Sequence, residues 1–304
     1  MYCRLKRLFL SIPVIIILVI LLSACRNQGA ERNARTVTVS IVPQKYLVDR
    51  ISGGTFNVQV MIPPGANHET FEPTPRDMAT LHGVRLYFSN GLLDFEHTWL
   101  PRFTAATPGM RVINTSEGIS LLGGHHHAES PAEAHGTGKT EEAAIGLDPH
   151  TWLSPAAMKI QAATIARALT EADKDNAALY ANNLLLFNNT ADSVDQQIRK
   201  ILAGCPGKSF MIFHPALAYF ARDYGLEQIS IESEGKEPSA GRIRELIDLG
   251  REKHIRSILI SKEFDIRHAE AIARELNVRI LVINPMEENW PENMIRLART
   301  IADN

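Results

Sequence analysis

An α/β fold of two lobes, each a mostly parallel sheet flanked by helices, is what this sequence predicts. Two observations carry the prediction. Short apolar, β-branched runs alternate with helical stretches in two series, over residues 36–114 and 209–302. Strands that are apolar at consecutive positions belong to sheets covered on both faces. Between the two series, apolar residues at 179/180, 184, 187, 191, 194, 198 and 201 recur in steps of three and four. That is the period of a single amphipathic helix joining the lobes.

In chain order, Thr36–Val42 reads as a strand, Gln44–Ser52 as a helix and Asn57–Ile62 as a strand. A helix near Arg76–His82, strand Arg85–Phe88, a helix near Phe95–Thr104 and strand Arg111–Asn114 complete the first series. Residues 123–146 interrupt it. They hold four of the eleven histidines (His125, His126, His127 and His135) among Gly, Ala, Glu and Thr. A stretch with so little to bury predicts a mobile loop. Ser154 as N-cap and Pro155 at the first helical position open a helix over Pro155–Thr170. The long helix runs over Asp175–Ala203, about 42 Å at 1.5 Å per residue, and Gly204 with Pro206-Gly207 stops it. The βα rhythm then resumes: strand Ser209–Phe213 and helix Pro215–Tyr224, strand Gln228–Glu232 and helix Ala240–Lys253. Strand Ser257–Ile260 and helix Ile266–Leu276, then strand Arg279–Ile283 and helix Pro291–Ala302, finish it.

Ahead of this plan stands a different kind of segment. Arg4, Lys6 and Arg7 precede an apolar run from Leu8 to Leu22 and then Leu22-Ser23-Ala24-Cys25. The run is about 15 residues, short for a bilayer span, and reads as a secretory signal. Small residues directly before a cysteine resemble the bacterial lipobox, which implies cleavage before Cys25 and lipid on its sulfur. The expected organisation is therefore a signal peptide at 1–24 and a polar tether at 25–36. An N-terminal lobe follows at 37–154, a helical connection at 155–206 and a C-terminal lobe at 207–304.

Composition narrows the function. The 304 residues are 45% apolar and 22% charged with a net charge of −2, which fits a globular chain and gives no footprint for nucleic acid. Of three cysteines, Cys3 falls in the signal and Cys25 is the lipid site, so Cys205 is left alone. That excludes an intramolecular disulfide and a zinc site built on two or more cysteines.

Ligands of parallel α/β sheets sit beyond the carboxyl ends of the strands. There the sequence places His68 and Glu69 after the strand at 57–62, His214 after 209–213, Glu263 after 257–260 and Asn284 after 279–283. Asp148-Pro149-His150 stands just before the connecting helices. Imidazoles and carboxylates at one rim, drawn from both lobes, are the donor set of Zn²⁺, and less tightly of Mn²⁺ or Fe²⁺.

The sequence resembles a known family. Ile62-Pro63-Pro64-Gly65-Ala66, Phe71-Glu72-Pro73-Thr74-Pro75, Asn90-Gly91 and Trp99-Leu100 carry the first part of the likeness. The runs Asp148-Pro149-His150-Thr151-Trp152-Leu153-Ser154-Pro155, Phe213-His214-Pro215-Ala216, Tyr219-Phe220, Tyr224-Gly225-Leu226 and Glu237-Pro238-Ser239 continue it. These look like the zinc/manganese solute-binding lipoproteins of ABC transporters. The resemblance implies two lobes joined by a rigid helix with a metal cleft between them, an ABC permease in the membrane as partner, and a monomer outside the cytoplasm.

Carried over residue by residue, the family's ligands fall on His150 and His214. An ungapped match from Gly65 to Pro73 puts Glu69 at the first ligand position, with His68 one residue early and expected to point away. The family's fourth position, often Asp, is Asn284 here, so Glu263 is expected to supply that charge. The expected set is Glu69, His150, His214 and Glu263, holding zinc in preference to manganese or iron, and the histidine-rich stretch resembles the metal-collecting loop of zinc members.

A zinc hydrolase fits less well. His68-Glu69-Thr70-Phe71-Glu72 lacks the second histidine of H-E-x-x-H, and no G-x-S-x-G occurs. An adhesin-type surface lipoprotein with incidental metal is the other alternative. The lipid assignment has a direct check. The membrane-extracted protein should have an intact mass that excludes residues 1–24 and includes acyl chains, and Cys25→Ala should leave the signal uncleaved.

Overall fold

The structure, a computed structural model, describes residues 35–123, 146–205, 207–232 and 238–303. The signal, Cys25, the tether up to residue 34 and the histidines of 125–135 lie outside the described residues, and Thr36, placed at the end of the tether, opens the first strand. Among the described residues, no helix is long and apolar enough to cross a membrane.

The first lobe holds β1 (Thr36–Val39), β2 (Asn57–Val60), β3 (Leu86–Ser89) and β4 (Arg111–Asn114) in the order β2-β1-β3-β4. All pairings are parallel, with Val37 opposite both Val58 and Leu86. The second lobe repeats the pattern with β5 (Ser209–Ile212), β6 (Glu227–Ser230), β7 (Ser257–Ser261) and β8 (Arg279–Ile283) in the order β6-β5-β7-β8. β1, β3 and β7 are buried along their whole length, as strands covered on both faces are. Each sheet reverses its winding direction beside its first strand. The crevices at the ends of β1 and β5 are therefore the topological switch points where α/β folds place ligands.

Helices α1 (Val42–Ser52), α2 (Pro75–Thr80) and α3 (Asp94–Ala106) belong to the first lobe. The connection is α4 (Pro155–Ala172), a 3₁₀ turn at Lys174–Asn176 and α5 (Ala177–Leu202). The second lobe adds α6 (Ala218–Tyr224), α7 (Ala240–Glu252), α8 (Arg267–Leu276) and α9 (Trp290–Ala302). Several boundaries shift by one to three residues from expectation, and two of the helix starts have a plain cause. The first helix starts earlier, at Val42, because Pro43 supplies a helical φ in its first turn. Helix α6 starts later, at Ala218, because the chain first turns through Pro215, with Ala216 N–H donating to the His214 carbonyl at 2.7 Å.

Along α5 the buried residues Tyr180, Phe187, Ala191, Val194, Ile198 and Leu202 form one stripe. They belong to a single apolar core that runs from Val37 of β1 to Ile301 of α9. The lobes are thus welded along the long helix. A second, smaller core covers the far face of the second sheet, where Met211, Ile229, Ile258 and Ile272 pack together.

A buried polar network shapes the strand ends of the first lobe. Glu96 of α3 accepts from the backbone N–H groups of Asn90 (2.7 Å) and Gly91 (2.5 Å) and from the Ser40 hydroxyl. Gly91 has φ +87°, and a Cβ there would lie 2.2 Å from Asn114 Oδ1, so no other residue fits. Asn90 Nδ2 then donates to the Pro149 carbonyl at 3.1 Å, tying this network to the segment that carries His150.

Burial pushes the Glu96 carboxyl up to about 7. The fold therefore keeps a proton that the unfolded chain releases above its own value of 4.5, and stability falls as pH rises through that window. Glu96→Gln should remove this dependence. Between about pH 5 and about pH 8, denaturant melts of the metal-free proteins should shift in the variant's favour by up to about 3 kcal/mol.

Candidate metal centre

Three histidines meet between the lobes. His150 follows Asp148-Pro149, and one carboxylate oxygen of Asp148 accepts from both the backbone N–H and the ring Nδ1 of His150, each at 2.8 Å. A proton held on Nδ1 leaves Nε2 with its lone pair directed into the cleft. There His68 Nε2 lies 3.1 Å away and His214 Nε2 3.2 Å away. The rings are buried, His68 and His150 each 3% exposed and His214 5%. Nitrogens bound tetrahedrally to zinc at about 2.05 Å sit about 3.3 Å apart, so the spacing of His68 and of His214 from His150 suits a shared divalent ion, and the three donor atoms all lie within 4.8 Å of one another.

Each histidine is placed by a different device. His214 stands two residues past β5, and its ring is stacked on Phe264 with centroids 4.8 Å apart and planes 16° apart. His68 sits on the loop after β2, where Asn67 Oδ1 accepts from Glu69 N–H at 2.8 Å and turns the chain. Trp152, fully buried, walls the group, with ring centroids 5.1 Å from His150 and 6.0 Å from His68. Burial first, and then the neighbouring His150 and His214, hold the His68 imidazole well below the ordinary histidine range. Its Nδ1 is buried and has no hydrogen-bond partner among the described residues.

On the other side of the His214 ring, Nδ1 lies 3.3 Å from Glu232 Oε2 and 3.5 Å from Glu69 Oε1. Burial, and the charges of Glu232 and Asp94, push the Glu69 carboxyl up, against the pull of His214.

The structure thus brings His150, His214 and Glu69 into one place, but not as expected. His68 does not turn away. The alternation of an extended strand does not apply because the loop folds back at Asn67, so His68 and Glu69 both face the cleft. Glu263 stands in neither group of converging donors; the turn after β7 presents Phe264 to His214 instead. Asn284 is spent locally, its Oδ1 accepting from Met286 N–H at 3.1 Å. Glu232 was missed by the sequence reading. The signal was available, since it lies two residues beyond β6 as His214 lies two beyond β5.

Two parallel α/β lobes welded along a long helix, with buried imidazoles converging between their strand ends, define a metal-binding protein of the solute-binding class. The chain belongs to the ZnuA family, described as zinc-uptake complex component A, periplasmic, whose model matches residues 37–304. A crystal structure of ZnuA superimposes with a TM-score of 0.79 at 36% identity, covering 88% of this chain and 98% of that one. The chain is 27% identical over 278 residues to the high-affinity zinc uptake system protein ZnuA of Bacillus subtilis, covering 88% of this chain and 85% of that protein. It is 26% identical over 277 residues to the zinc-binding lipoprotein AdcA of Streptococcus pneumoniae R6, covering 90% of this chain and 54% of that longer protein. Members of the family are solute-binding proteins of metal uptake, not enzymes.

The depressed His68 gives a pH signature. Below about pH 6.5 the unfolded chain takes up a proton that the buried ring refuses, so metal-free stability falls as pH drops through that value. In an NMR titration the His68 ring signals should hold their neutral positions at about pH 6. Over the same range, denaturant melts of metal-free Glu96→Gln, in which the opposing carboxyl effect is absent, should show stability falling as pH drops.

Proposed function

We propose that this protein captures one divalent transition-metal ion outside the cytoplasm, zinc before manganese or iron, and hands it to an ABC permease in the membrane. His68, His150 and His214 would hold the ion through their Nε2 atoms. The observation that carries this reading is the convergence of three buried imidazoles, with the Nε2 atoms of His68 and His214 standing 3.1 and 3.2 Å from that of His150. Neutral imidazole is a borderline donor that suits zinc better than it suits manganese, and three of them favour zinc in that order.

The relatives named for zinc uptake and zinc binding support zinc as cargo, and the pneumococcal lipoprotein supports a lipid-held protein. Cys25 is the proposed lipid site. A single chain carries all three imidazoles, so a monomer suffices for binding. Glu69 stands outside the trio, near enough to add negative charge and too far round the His214 ring to share its Nε2.

Metal analysis of protein purified without an affinity tag, followed by competition with a chromogenic chelator, tests the reading. The expected result is about one tightly held zinc per chain and weaker manganese. His68→Ala should lose at least about 100-fold in zinc affinity, at or beyond the 10–100-fold typical of outer-shell losses, whereas Glu69→Ala should lose about tenfold. Absence of tight metal in the intact protein, or a larger loss in Glu69→Ala than in His68→Ala, would overturn it.

A further inference from the structure

Glu69, His214 and Glu232 form a second set of converging donor atoms, all within 4.8 Å of one another and sharing only His214 with the three-histidine set. The two sets lie on opposite edges of one imidazole: Nε2 faces His150, and Nδ1 faces the two carboxylates. We propose that the carboxylate set is a second, transient position for the cargo metal, an entry site from which the ion passes around the His214 ring to the three histidines. This rests on the metal-capture reading above.

Three features support it. The first is charge. Glu232 is 5% exposed, and the ion pairs of both carboxylates within the described residues run to His214 alone. Two carboxylates this close, one of them buried, without a lysine or arginine partner among the described residues leave a negative site that a divalent ion would neutralise. The second is geometry. His214 Nδ1 donates to Glu232 Oε2 at 3.3 Å and lies 3.5 Å from Glu69 Oε1, so one imidazole edge and two carboxylates already face a common point, where an entering cation would take the place of the shared proton. The third is access. The Glu69 side chain is 30% exposed while the inner rings are buried, which puts the carboxylate set on the solvent side. Two carboxylates and an imidazole bind Mn²⁺ and Zn²⁺ alike, with less selectivity than three imidazoles. Selection then falls to the inner position.

The test uses the full chain and two probes. In His68→Ala/His150→Ala, which leaves the carboxylate set whole, Mn²⁺ titrated by EPR should show one weak site, and adding Glu232→Gln should abolish it. In the otherwise intact protein, Glu232→Gln should slow stopped-flow zinc loading at least about tenfold, at both low and high salt. A well-folded double variant that binds no Mn²⁺ would overturn the proposal. So would an unchanged loading rate, or a slowdown that vanishes at high salt, since long-range attraction alone is screened. Should the double variant fail to fold, the loading kinetics decide. If the intact protein binds no metal tightly, it is the capture reading that falls; intact tight binding with unchanged loading removes the entry site alone.

Discussion

The hydrogen bond from His150 Nδ1 to Asp148 is the interaction on which the rest of this molecule turns. It aims the central nitrogen of the trio, and nearly everything around the segment 148–153 serves to hold it still. Asn90 of the first lobe grips the Pro149 carbonyl. Tyr219 of α6 donates to the Asp148 carbonyl at 2.9 Å. Trp152 donates through Nε1 to the Pro285 carbonyl at 2.9 Å, and Trp290 donates back to the Trp152 carbonyl at 2.7 Å. Both indoles are fully buried, so these bonds have no competition from water. A short segment at the end of the first lobe is thereby bolted to the loop that enters α9 of the second.

That bolt sets the character of the cleft. A protein that closed like a hinge would hold its ligands apart until the ion arrived. Here the shared core along α5, the indole pair and the Lys45–Glu288 ion pair at 2.5 Å already hold the lobes together, and the imidazoles stand at binding distance. Such preorganisation spares the ordering entropy at the moment of capture. It also has a cost. Three rings crowded into a dry site repel a proton, as the depressed His68 records, and its orphaned Nδ1 adds the penalty of an unmet buried polar atom. Both costs are built into the site before any ion arrives.

Much of this was legible in the sequence, and the parts that were not failed for identifiable reasons. The two βα series and the long helix follow from periodicity, because strands buried on both faces and a helix buried on one leave unambiguous patterns. His150 and His214 were legible because one precedes a helix cap and the other ends a central strand, positions that topology alone carries to the cleft. The pair His68 and Glu69 was not. Which of two adjacent side chains enters a site depends on loop dihedrals, and a single Asx turn at Asn67 sends both inward. Glu263 looked suitable because strand ends were treated as equivalent, yet the turn after β7 spends its inward direction on Phe264. Glu232 lies in no motif; its place two residues past β6, and the pairing of β6 beside β5, bring it to His214.

Phe264 is therefore more than a correction. An aromatic face stacked on an imidazole fixes the ring plane while offering it no hydrogen bond, so both nitrogens of His214 stay available, one to each side. A polar residue in that place would compete for one of them. With the plane fixed and the lobes welded, the ring becomes a partition between an acidic, half-open compartment at Glu69 and Glu232 and a dry, nitrogen-lined one at His68 and His150. On the entry-site proposal, charge would draw cations to the first compartment, and ligand type would discriminate among them in the second. Separating attraction from selection in this way needs one rigid imidazole at a strand end, and the switch-point geometry of β5 provides it.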